Sequence, residues 1–85
     1  MPRYFFNTAD GSRDRDVEGT ELADLNAARK EAIQFTGAVL RDDPDRIWDG
    51  RDFRVDVSDE NDTSLLIVIT MAIDAVAVWP KRETS

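Results

Sequence analysis

The stretch Phe53-Arg54-Val55-Asp56-Val57-Ser58-Asp59-Glu60-Asn61-Asp62-Thr63-Ser64-Leu65-Leu66-Ile67-Val68-Ile69-Thr70 decides the fold. Phe53, Val55 and Val57 alternate with Arg54, Asp56 and Ser58, the two-residue period of a half-buried strand. Asp59 to Asp62 is a hairpin turn, because Asn and Asp tolerate left-handed backbone and bond their own neighbours. Thr63 to Thr70 reads as a second strand, but it does not alternate. Leu65, Ile67 and Ile69 fill one face, while Leu66 and Val68 fill the other. A strand that is apolar on both sides needs cover on both sides.

One side is covered by a helix encoded upstream. Asp24 is a good N-cap, since its carboxylate accepts orphan N–H groups of the first turn. Leu25, Ala28, Ala32, Phe35 and Val39 recur at spacings of three and four and form one stripe, flanked by Ile33 and Leu40. Arg29, Lys30, Glu31 and Gln34 fall largely elsewhere. Gly37 costs about 1 kcal/mol relative to Ala in a helix interior. The helix should stop near Arg41 or Asp42, because Pro44 disfavours helical backbone before it.

Outward from these elements, Arg3 to Thr8 reads as a strand with a turn signal at Asp10-Gly11. Arg13 to Glu21 is a charged segment suited to a short edge strand beside the first, since charge on an edge discourages aggregation. Asp42 to Arg51 links the helix to the hairpin, with Ile47 and Trp48 tucked against the core and Asp49-Gly50 turning the chain. Met71 to Val78 extends the last strand after a bend or forms a short final element. The expected fold is α+β: an antiparallel sheet of three to four strands with one main helix on one face, in the order β-β-α-β-β. Residues 1–80 form one domain, and 81–85 are a flexible polar tail.

Composition narrows the function. The 85 residues include no His and no Cys. That removes the usual near-neutral acid–base group, the common thiol nucleophile, the best zinc ligands and any disulfide. The apolar N-terminal stretch is too short for a signal-peptide core, and the run Leu65 to Ile69 is far short of the roughly 20 residues that span a bilayer. Eighteen acids against eleven bases give a net charge of −7, which repels nucleic acid. The expectation is a cytoplasmic protein that binds neither nucleic acid nor membrane, with no cofactor motif and no small-molecule substrate signature.

The ordered features Pro2-Arg3-Tyr4-Phe5-Phe6, Asp10-Gly11, Asp16-Val17-Glu18-Gly19-Thr20-Glu21-Leu22 and Asp24-Leu25 leading into Ala27-Ala28-Arg29 cover nearly the whole chain. With the hairpin around Val57-Ser58-Asp59-Glu60 and Leu65-Leu66, they resemble a group of small proteins common in rhizobia and related alphaproteobacteria, catalogued as a domain of unknown function. The resemblance implies a fold outline and a bacterial source, and no activity. Family members usually carry His where this chain has Asn7, and often Gly where it has Asp62.

Three chemical readings follow from the residues. Asp10, Ser12, Asp14, Asp16, Glu18 and Glu21 occupy positions one, three, five, seven, nine and twelve of a calcium-loop template, but Arg15 stands where the sharp turn wants Gly. Asp10, Asp14, Asp16, Glu18 and Glu21 are thus an alternative site for calcium or magnesium, weighed against a plain solvated loop. Paired carboxylates would need a pocket to act as acid and base, Ser12, Ser58 and Ser64 have no His to activate them, and the glycines cradle no phosphate, so no catalytic residues are expected. The third reading is an interaction surface. If the first and last main strands are neighbours, Phe5, Leu66 and Val68 form an apolar patch away from the helix. Either the C-terminal segment with Val76, Val78 and Trp79 covers it, or a second copy does, or another protein does. The leading expectation is a non-catalytic, self-associating interaction domain, a homodimer or a binder of another protein, with contact residues Phe5, Leu66, Val68 and Trp79.

Overall fold

The computed structural model describes residues 1–9, 13–48 and 52–75. Strand β1 (Arg3–Ala9) is followed by two short strands, β2 (Arg13–Asp14) and β3 (Thr20–Glu21), then by helix α1 (Leu25–Asp42) and a 3-10 turn (Arg46–Trp48). The hairpin β4 (Phe53–Ser58) and β5 (Ser64–Thr70) completes the fold. All pairings are antiparallel, in the order β2-β1-β4-β5, with β3 also on β1. The expected α+β architecture is present, with the predicted second strand split in two.

β4 is central because its residues suit burial: Phe53, Val55 and Val57 are all fully buried. They face α1 with Tyr4, Ala28 and Ala32. Two alanines on the contact stripe let the helix lie close, against β4 and β5. Thr36 is also buried there and donates its hydroxyl to the Ala32 carbonyl at 2.8 Å, which satisfies the group within its own helix turn. Leu25, Phe35, Val39 and Leu40 pack at the margins of this core. Ile33 does not: it is exposed, because neighbours on a helix diverge by about 100° and Ala32 takes the facing position.

The helix ends follow the sequence. Asp24 accepts the Ala27 N–H at 2.9 Å, and Asp43 closes the C-terminus by donating its N–H to Val39. Ile47 is buried as expected, but Trp48 is exposed. In a 3-10 turn successive side chains diverge by about 120°, so one of the two faces the core and the other faces out.

The edge beside β1 is built by an interrupted strand. Arg3 pairs with Glu21 and Tyr4 with Thr20, while Thr8 pairs with Asp14 and Ala9 with Arg13. Between these pairs three residues of β1, 5–7, face five residues of the returning chain, 15–19. The surplus bows outward over β1. Gly19 permits this with φ of +72°, and an added Cβ there would lie 2.8 Å from both the Phe5 ring and the Arg3 Cγ. Asp10-Gly11, Asp49-Gly50 and residues 76–85, including the proposed tail, lie outside the described residues. Met71 to Asp74 follow β5 without joining the sheet.

Candidate functional site

Sheet register determines which side chains are available on the face away from α1. Phe6 pairs with Val57, and Val57 with Leu66; Val55 pairs with Val68. Directly opposed residues share a face, so Leu66 and Val68 join the helix side and pack against the core. The expected Phe5, Leu66 and Val68 patch therefore does not form. β1 and β5 are not neighbours, since β4 lies between them. Phe5 is on the opposite face, half-buried under the 15–19 loop. Trp79 lies outside the described residues.

The row left open is the other set. Leu65, Ile67 and Ile69 are 38%, 50% and 54% exposed, and Met71 and Ile73 beyond them are also exposed. Val57 pairs with Leu66 and Ser58 with Ser64, so Leu65 is an extra residue in β5, a bulge opposite the β4 end. No charged residue occurs from Thr63 to Ile73, although the chain as a whole is 34% charged. That gap was visible in the sequence; which of the two aliphatic sets it exposed depended on the partner strand.

Across β4 and β1 the same face is polar. Asn7 donates to the Asp56 carbonyl at 3.2 Å and to Ser58 Oγ at 3.1 Å, and its own Oδ1 accepts the Asp16 N–H at 3.0 Å. Above it lies an open concavity of about 350 Å³, lined in part by Arg13, Arg15, Arg54, Asp56, Asp62 and Ile67. Its carboxylates are engaged: Asp56 accepts the Ser64 hydroxyl at 2.7 Å, and Asp62 pairs with Arg15. Arg54 pairs with Asp52 at 2.9 Å. Ser64 has a carboxylate as its partner and Ser58 an amide, and the chain has no His to serve either as a base.

The acidic loop is organised around Asp16. Its Oδ2 accepts the Phe6 N–H at 3.1 Å, and its Oδ1 accepts the N–H groups of Glu18 and Gly19 at 3.1 and 3.0 Å. Partial burial works to raise its pKa. The N–H donors of Gly19, Phe6 and Glu18, with the charge of Arg3, outweigh that and hold the carboxyl below its usual range. Glu21 is engaged by Arg3 at 3.1 Å, and Arg3 also donates to the Glu18 carbonyl at 2.7 Å. Asp14 is exposed on β2, and Asp10 lies outside the described residues. Among the described residues no three acidic side chains converge as a metal would require. There, too, no helix is long and apolar enough to cross a membrane.

No curated protein and no solved structure matches this chain. A family model does, over residues 3–72, which takes in β1 to β5 and α1. The chain belongs to the family described as Domain of unknown function (DUF6894).

Proposed function

We propose that this protein is a non-catalytic interaction domain that self-associates through the uncovered side of β5. The observation that carries the reading is the row Leu65, Ile67 and Ile69, aliphatic and exposed on a strand with no charged residue. The partner is a second copy, because this row is the part of a strongly acidic surface that two copies bring together without opposing charges. Two chains of net charge −7 repel each other over most of their surface. The stretch from Thr63 to Ile73 is where they approach without opposing like charges. Small monomers keep contiguous apolar patches small, and associating proteins bury them.

Sedimentation equilibrium over a wide concentration range tests this reading. A reversible dimer that Ile67→Lys converts to monomer supports it. A strict monomer at all concentrations, or a dimer indifferent to Ile67→Lys, overturns it.

A further inference from the structure

The two edges of the sheet are treated in opposite ways. The β1 side is guarded. Its flanking strands are two residues each, a charged loop bows out between them, and the Asp16 carboxylate takes the Phe6 N–H. Short strands, charges and irregularity are the devices that stop a sheet edge from pairing with another chain. The β5 side carries none of them beyond the Leu65 bulge at its first turn: seven residues, no proline, no charge, and β4 as its sole ladder partner among the described residues.

The apolar row also sits where an edge joint would use it. On the open face, β1 and β4 contribute mainly Asn7, Arg54 and Asp56, with the small Ala9 and the half-buried Phe5, and the exposed large aliphatic side chains of the sheet all come from β5. Stacking two such faces would place polar groups against polar groups over most of the contact. Placing two β5 strands side by side instead brings row against row. It also pairs the backbone groups along the β5 edge.

We infer that self-association, as read above, proceeds by antiparallel pairing of β5 with β5 of a second copy, with Ile67 at the two-fold axis. An antiparallel pair of identical strands has residue numbers that sum to a constant. Centring on Ile67 sets Leu65 opposite Ile69, so every outward pair is aliphatic. The same register sets Leu66 opposite Val68 on the core side. Directly opposed residues have Cβ atoms about 4.5–5.5 Å apart, close to the separation a disulfide accepts. The result is one sheet running through both copies, with a helix from each on the same side.

The chain has no cysteine, so single introduced thiols report the register without background. The positions used are exposed, so substitution there spares the core. The experiment oxidises Ile67→Cys, Leu65→Cys, Ile69→Cys and Met71→Cys proteins gently, singly and as mixtures. Ile67→Cys is expected to cross-link with itself. Leu65→Cys and Ile69→Cys should each remain largely uncross-linked alone and join when mixed. Met71→Cys should cross-link at least tenfold less than Ile67→Cys. A protein that sediments as a dimer without this pattern overturns the strand pairing and leaves self-association standing. A protein that sediments as a monomer overturns both.

Discussion

The carboxylate of Asp16 accepts the backbone N–H of Phe6 at 3.1 Å, ten residues back along the chain. It occupies the place where a neighbouring strand would supply a carbonyl, in the gap between β2 and β3. One side chain thus completes an edge that the backbone leaves open, and the same carboxylate fastens the loop through Glu18 and Gly19.

Replacing Asp16 with Asn should destabilise the domain by about 2 kcal/mol, since hydrogen bonds to charged groups contribute roughly 1.5–3 kcal/mol and one amide oxygen cannot replace both carboxylate oxygens. The effect depends on pH with a definite sign. Because the folded-state pKa of Asp16 lies below its ordinary value of 3.8, its contribution is fully present above that value. It is lost as the pH falls through the folded-state pKa. Thermal melts of both proteins from neutral to strongly acid pH should converge at the acid end.

Gly19→Ala should be more damaging than its size suggests. The backbone there has φ of +72°, and the added carbon would meet the Phe5 ring and Arg3 at 2.8 Å. Strain of this kind costs on the order of 1–3 kcal/mol, readable as a lower urea midpoint with an unchanged slope.

Gly37→Ala should do the reverse. Gly37 is in α1, exposed, and an added Cβ would meet nothing within 4 Å. Helix propensity then predicts a gain of about 1 kcal/mol. A higher melting temperature with unchanged sedimentation behaviour is the expected outcome.

The two faces of β5 should respond differently. Leu66→Ala should cost about 2 kcal/mol by opening a cavity beside Val57, and denaturant unfolding measures it. Ile67→Lys, one residue along, should leave the unfolding midpoint nearly unchanged while raising the dimer dissociation constant at least tenfold.

Much of this fold could be read from local chemistry. Asp24 capping, the Ala28–Ala32 stripe, the stop before Pro44 and the alternation of Phe53, Val55 and Val57 each act over a few residues, and each is present. The split of the Arg13–Glu21 strand was not legible, because it depends on two surplus residues relative to β1 and on an Asp16–Phe6 bond across the gap. The sidedness of β5 was not legible either. Leu65, Ile67 and Ile69 outnumber Leu66 and Val68, yet the smaller set is the one inside. Burial followed the register with Val55 and Val57, a non-local property, and not the number of aliphatic residues. The acidic residues of the loop looked like ligands at regular spacing, but Arg3 and backbone N–H groups had prior use for Glu21 and Asp16.

The finished rim along β1 also sets an upper limit on assembly. A sheet with two open rims can add copies without end, as fibres do. On the proposed pairing, and among the described residues, this sheet has a valence of one. Once two copies have joined at β5, both outer rims are the stub-and-loop kind, and nothing remains to propagate. The mass should plateau at twice that of the chain however concentrated the solution becomes, a closed two-fold pair that does not grow into a filament.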